Sequence, residues 1–384
     1  MEVYLDNSAT TMPFKEVING MLRALTQNFG NPSSLHRKGI DAEKLITEAR
    51  KNISEALSVD PSEIVFTSGG TESNNLAIKG AVYGMKRWGK HLITTKIEHP
   101  SVLNVFKELE EEGFDVTYLD VDSKGIVDLE QLMSVIREDT IFISVMHVNN
   151  EVGSIQPLHE ISEVIRNKER LLFHVDAVQG FMKVPINPYE LDIDFLSLSS
   201  HKISGPKGVG ALYIKKGSKI KPIIIGGGQE RNIRSGTENV PGIYGFGIAT
   251  KIYNASMKEF VDRMSRTKLK LANGILTEIN DCRINGPSPE EAAPHILNVS
   301  FLGIRGEVLL HELEEWGIYV STGSACSSKH ANLSHVLKAM GLKKDEIEGA
   351  IRFSFSPFNT EEEMDYVIDR LKISVNHLRK FKRR

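Results

Sequence analysis

Three short segments carry residue types whose order suggests a single piece of chemistry. The first is Ile64-Val-Phe-Thr-Ser-Gly-Gly-Thr-Glu-Ser-Asn-Asn75, an apolar run, a glycine pair, and a helix-forming stretch that Thr71 opens. Glycines let a backbone approach an anion closely, and exposed N–H groups at a helix start favour a phosphate. The pattern is neither the P-loop nor the spaced-glycine dinucleotide fingerprint. A plain strand-to-helix turn with Thr71 as its N-cap would read the same way. The second segment is Leu171-Leu-Phe-His-Val-Asp176, with Gln179 three residues on. Asp176 ends a very apolar strand, where a carboxylate is expensive unless it is paired. A protonated ring nitrogen is one suitable partner, and a helix cap is the plainer use. The third is Ser197-Leu-Ser-Ser-His-Lys-Ile-Ser-Gly-Pro-Lys-Gly208. Lys202 follows an apolar strand and precedes a Gly/Pro-rich turn, so its amine should sit at the carboxyl edge of a sheet. Apolar walls there favour the neutral amine that covalent carbonyl chemistry requires.

A lone lysine is normally a solvated charge, and a lone aspartate at a strand end is normally a cap. The ordered set shifts that reading. A phosphate cradle, a carboxylate for a pyridinium nitrogen and a lysine for an aldehyde are what pyridoxal phosphate (PLP) demands of a protein. Ser199 and His201 could donate to its phosphate.

One further residue could do chemistry of another kind. Cys326 lies in Ser321-Thr-Gly-Ser-Ala-Cys-Ser-Ser-Lys-His330, a small and polar stretch that reads as an exposed loop. An exposed thiol on such a loop suits nucleophilic attack and handoff. Cys282, between Asp281 and Arg283, has no such context and reads as a small buried hydrophobe. His36, His147, His159, His174 and His330 show no metal-ligand spacing.

The elements that must position these residues follow from periodicity. Strands are expected at Glu63–Thr67, His91–Thr95, Asp115–Leu119, Thr140–Met146, Leu171–Val175, Asp194–Leu198 and Gly210–Ile214. Helices Glu72–Trp88, Pro100–Glu112 and Leu158–Asn167 lie between them. This alternation predicts an α/β domain with a mostly parallel sheet. Pro241–Ile279 reads as one long helix or two. Beyond it, strands Ile296–Phe301, Ile318–Ser321 and Ile351–Ser356, with helices Glu307–Glu315 and Glu361–Leu378, predict a smaller α+β domain. Ligands of open α/β sheets bind beyond the carboxyl ends of the strands, so motifs there carry most weight.

Bulk properties exclude other classes. The chain has 384 residues, 40% apolar and 25% charged, with a formal net charge of -3. Neither disorder nor a nucleic-acid footprint is expected. Two cysteines form no disulfide framework, which fits a reducing compartment. The first residues lack a signal-peptide pattern, and no apolar run is long enough for a membrane span. A cytoplasmic location is the expectation.

The combination resembles the fold-type I PLP enzymes, and nearly end to end it resembles the NifS-type cysteine desulfurases of the class-V aminotransferase family. Matching stretches are Tyr4–Thr11, Phe29–Pro32, Thr67–Asn75, Glu98–Pro100, His147–Gly153, His174–Gln179 and Ser200–Gly208. They continue with Gly226–Arg231, Arg234–Glu238, Ser321–Cys326 and Ile351–Ser354. The resemblance implies a large domain with a mostly parallel seven-stranded sheet over residues 14–258. It implies a small domain formed by 1–13 and 259–384, which carries the cysteine loop.

Residue by residue, the resemblance implies that Lys202 binds PLP covalently, Asp176 pairs with the ring nitrogen and Gln179 contacts the ring hydroxyl. His99 stacks on the ring and is a candidate proton shuttle. Gly70, Thr71, Ser199, Ser200 and His201 surround the phosphate, and Thr237 reaches it from the partner subunit of a homodimer. Asn150 and Arg352 bind the substrate carboxylate. Gly70 stands where the family often has alanine. The implied reaction takes sulfur from L-cysteine, giving L-alanine and a persulfide on Cys326. The sulfur passes to an iron–sulfur scaffold or another sulfur-acceptor protein. A selenocysteine lyase or another PLP-dependent lyase or aminotransferase is the nearest alternative, and a PLP-binding protein without catalysis is a third. Neither nucleic acid nor membrane is an expected partner.

Overall fold

Apolar runs separated by amphipathic stretches build the main layer as the periodicity predicts. The computed structural model describes residues 1–322 and 333–381, so Cys326 lies outside the described residues. Strand β1 (Val3–Tyr4) stands near the chain start. The main sheet follows: β2 (Ile64–Thr67), β3 (His91–Thr95), β4 (Asp115–Leu119), β5 (Thr140–Met146), β6 (Leu172–Asp176), β7 (Phe195–Ser199) and β8 (Gly210–Ile214). Later come β9 (Cys282–Asn285), β10 (Ile296–Phe301), β11 (Ile318–Tyr319) and β12 (Ala350–Ser354).

The seven strands are ordered β2-β8-β7-β6-β5-β3-β4. β3 to β7 run parallel, whereas β8 is antiparallel to both β7 and β2. β2 therefore points the same way as the parallel set. Every strand that leads into a candidate site residue ends at one edge of the sheet. β2, β3, β5, β7 and β8 are buried throughout, as expected when helices cover both faces.

Two strands start and end one residue later than periodicity suggests. β6 runs from Leu172 to Asp176 and β7 from Phe195 to Ser199. At β7 a local contact marks the start: Asp194 precedes the strand, and its carboxylate accepts the Phe173 N–H at 2.9 Å, while β6 pairs with β5 from Leu172 to Asp176. The shift makes Asp176 and Ser199 the last residues of their strands.

The long helix Val240–Glu278 is continuous except for a break at Ser256 (φ -125°), and Asn239 caps it by accepting the Gly242 N–H at 3.1 Å. Tyr253, before the break, packs in the apolar cluster under the main sheet, whereas Met264 packs in a second cluster with Val3, Leu5 and Phe353. That second cluster lies under an antiparallel sheet ordered β12-β10-β9. β1 pairs with β11 beside it. β9 escapes the sequence pattern because Cys282-Arg-Ile-Asn285 holds too few apolar residues to register as a run.

The loop 226–238 is pinned to the main sheet by a buried ion pair. Arg50 donates to both Glu230 oxygens, at 2.9 and 2.7 Å, and Glu230 Oε2 also accepts the Phe66 N–H at 2.9 Å. Glu230, Arg231 and Asn232 are all left-handed (φ 45°, 58° and 63°), so the loop is strained there and held by these contacts. Removing one partner leaves a charge buried and unpaired. Glu230→Ala should therefore destabilise the protein by about 3–5 kcal/mol. An unchanged urea unfolding midpoint would contradict this role.

Candidate active site

β2 ends at Thr67, and the chain then turns through Gly69 (φ 151°, ψ -178°), a conformation open essentially to glycine alone. The turn passes directly over β8. A Cβ on Gly210 would meet Gly69 Cα at 2.7 Å and Leu198 O at 2.5 Å. Because Gly69 takes this shape, it is the cap, and the helix starts at Gly70 rather than at Thr71. The reading of Thr71 as N-cap is corrected accordingly. The first amide bonded back is Ser73 N, to Gly69 O at 3.0 Å. The amides of Gly70, Thr71 and Glu72 are left with no intrahelical acceptor, as an anion site requires.

These amides open into a cavity of about 500 Å³ lined by Gly69, Gly70, Thr71, Ser199, His201 and Lys207, among others. Ser199 and Ser200 bury hydroxyl oxygens that have no hydrogen-bond partner. His201 Nδ1 lies 3.2 Å from Thr10 Oγ1. Burial, reinforced by Lys202, Lys207 and Lys183, holds its pKa down to about 3. Donors without acceptors, with lysines around them, make a cup whose chemistry suits a phosphate. Thr237 is exposed and does not line this cavity in its own chain.

Next to the cup, Lys202 closes a short helical turn after β7. Its ammonium donates to the carbonyls of Ser8 and Ala9, the latter at 2.9 Å. Asp176 is 5% exposed. Its Oδ1 accepts the Val178 N–H at 3.0 Å and its Oδ2 accepts from Asn74 at 2.8 Å. Each oxygen keeps a lone pair for a further donor. Gln179 Nε2 donates to Ser8 O at 3.0 Å, and its Oε1 lies 3.3 Å from His295 Nε2. His99 caps the helix Pro100–Glu111, with Nδ1 accepting the Ser101 N–H at 3.1 Å. Burial lowers its pKa most, and both Asp176 and Lys202 lie close enough to act on it.

A second wall comes from the smaller layer. Arg352, in β12 and 3% exposed, donates to Asp6 Oδ1 at 2.8 Å and to Asn150 O at 3.0 Å. Its backbone also pairs with Ser321 in both directions. On the other described flank, Ser334 donates to Glu151 Oε2 at 2.5 Å and His335 Nε2 donates to Glu98 O at 2.9 Å. Residues 321 and 334–335 are thus tethered beside Arg352 and His99. Glu98 is fully buried, and burial raises its pKa to about 8.

The sequence pattern of the aminotransferase class-V family matches residues 3–367. The chain belongs to this family. Among its relatives, the cysteine desulfurase IscS of Dictyoglomus turgidum is 45% identical over 378 residues, covering 98% of this chain and 95% of the relative. The solved structure of a NifS-like protein superposes with a TM-score of 0.93 at 42% identity, covering 98% of this chain and all of that one. A second, SspA in complex with cysteine, gives 0.80 at 37% identity over 93% of this chain and all of the other.

PLP is the cofactor of cysteine desulfurases in this family. The orphaned hydroxyl of Ser199, the unbonded amides at Gly70–Glu72 and the spare lone pairs on Asp176 fit its phosphate and ring nitrogen, whereas Ser200 turns its hydroxyl toward Gly205 and does not line the cavity. Several supporting residues carry no signal in spacing: the Ser8 and Ala9 carbonyls, Asn74, Ser101, Glu98, His295 and His335. Backbone carbonyls have no residue signature, and Asn74 and Glu98 stand inside matching motifs without chemistry of their own to announce them. His295 could be found only in three dimensions.

Proposed function

We propose that this chain is a PLP-dependent cysteine desulfurase. It converts L-cysteine to L-alanine and takes the sulfur onto Cys326 as a persulfide. The observation that carries this reading is the convergence of the anion cup, Asp176, Gln179 and Lys202 at one sheet edge, faced by Arg352. When bound, PLP supplies an electron sink for charge generated at the substrate's Cα. Gly70, Thr71, Ser199 and His201 would hold its phosphate, Asp176 its ring nitrogen and Gln179 its ring hydroxyl.

The chain's own groups divide the remaining work. Arg352 and Asn150 orient the substrate carboxylate, a task for which a nearly buried guanidinium is suited. Lys202, adjacent to His99, takes the α-proton on Nζ. The Cys326 thiolate forms the new S–S bond as the substrate's C–S bond breaks. The electron pair of that bond stays with Cβ, which is then protonated, so that alanine and one persulfide account for all atoms. Residues 14–258 would form the PLP-binding domain, and 1–13 with 259–384 the domain that presents Cys326. The persulfide would pass to an iron–sulfur scaffold or another thiol acceptor in the cytoplasm. Stoichiometric alanine from L-cysteine tests the reading, and PLP binding without alanine would overturn it.

The site is completed by a second copy of the chain. Thr237 is exposed and off its own cavity wall, and Ile18, Leu22, Leu25 and Phe29 form an exposed apolar group suited to a dimer contact. Mixed dimers of Lys202→Ala and Thr237→Ala subunits should regain one intact site and hold one doubly defective site. Thr237 contributes one charge-assisted hydrogen bond, about 1.5–3 kcal/mol. If mixed dimers form and PLP retention at the Lys202 site stays as weak as in the Thr237→Ala parent, each site lies within one chain.

A further inference from the structure

We infer that Ser101, oriented by Asn74, is a positioning residue that holds His99 in one tautomer with its proton on Nε2. His99 is then a hydrogen-bond donor, and Lys202 alone takes the substrate's proton. This rests on the reading that His99 faces the cofactor.

The argument follows hydrogen-bond direction outward from Asp176. An ionised carboxylate only accepts. Asn74 lies 2.8 Å from Asp176 Oδ2, so its NH₂ group must face the carboxylate, since the reversed amide would set oxygen against oxygen. The same NH₂ lies 2.9 Å from Ser101 Oγ, which must accept its second hydrogen. The Ser101 hydroxyl hydrogen then has one acceptor among the described residues, His99 Nδ1 at 2.8 Å. The Ser101 backbone N–H points at the same nitrogen from 3.1 Å. Two donors converge on Nδ1, so that atom carries the lone pair. A neutral imidazole has a single proton, which must be on Nε2.

Asn74 leaves its own buried Oδ1 without a partner. Its orientation is therefore imposed by Asp176 and Ser101 rather than by its own satisfaction. The surrounding charges act on the same ring: burial, Lys202 and His335 oppose a proton, Asp176 favours one, and Glu98 beside it is an acid whose own pKa burial raises. A general base must aim a lone pair at the proton it takes. The lone pair of His99 aims at Ser101.

The test uses the full-length PLP-loaded protein labelled with ¹⁵N-histidine, with the His99 signals assigned by their loss in His99→Gln. The expected result is the Nε2–H pattern between about pH 8 and pH 6, with titration below the ordinary value near 6.5. Ser101→Ala keeps the backbone donor but loses the hydroxyl, so His99 should titrate roughly tenfold more readily and show mixed tautomers. Ser101→Thr should restore the native pattern. Finding the proton on Nδ1 in the unmodified protein, or an unchanged pattern in Ser101→Ala, overturns the inference. The underlying reading has its own check: His99→Gln must change the absorption spectrum of bound PLP, whatever the tautomer.

Discussion

Replacing Lys202 with alanine should abolish covalent retention of PLP and reduce alanine formation by about 10⁴-fold or more, since one substitution removes both the anchoring amine and the base. Non-covalent binding should survive, because the amides of Gly70–Glu72 and the hydroxyl of Ser199 remain in place. Lys207 is the obvious rival, since it follows in the same turn and lines the same cavity. It is exposed, however, whereas Lys202 is half-buried and held by the carbonyls of Ser8 and Ala9. Borohydride treatment followed by peptide mapping decides between them. A stable PLP label on Lys207 in Lys202→Ala would show that the assignment is wrong.

Most of the main sheet was legible in the sequence, for a physical reason. Strands buried on both faces read as largely apolar runs, so β3, β5 and β8 match their expected limits, and the part-exposed edge strand β4 matches as well. The start of β7 moved by one residue where the Asp194 side chain takes the Phe173 N–H, and β6 begins where Leu172 pairs with Phe142 of β5. At the site, residues with chemistry of their own, such as Lys202, Asp176 and His99, could be named in advance. Their supports could not. Asn74 acts through the orientation of an amide, Ser8 and Ala9 act through carbonyls, and His295 meets Gln179 across more than a hundred residues of chain. Such contacts depend on which strand ends share an edge, and the reversed β8 makes that arrangement impossible to read from strand order alone.

Changing Cys326 to serine should separate the two halves of the reaction. PLP binding and the spectral response to L-cysteine should persist, because the described residues that line the cup, and the Ser8 and Ala9 carbonyls that hold Lys202, lie elsewhere in the chain. Alanine formation should fall about 10²-fold or more, since a hydroxyl is a poor nucleophile toward sulfur where a thiolate is a good one. The described flanks explain why this segment is the one that should deliver the thiol. Ser321 is bonded to Arg352, the proposed carboxylate anchor, while Ser334 and His335 are bonded to Glu151 and to the Glu98 carbonyl beside His99. Cys282 cannot take over. It is half-buried in β9 with its Sγ 3.0 Å from Ile279 O, and burial pushes its thiol pKa up, away from the thiolate form. Labelling with ³⁵S-cysteine should therefore leave reductant-labile sulfur on the native chain and none on Cys326→Ser. Undiminished alanine production by that variant, or labile label on Cys282, would remove Cys326 from the mechanism.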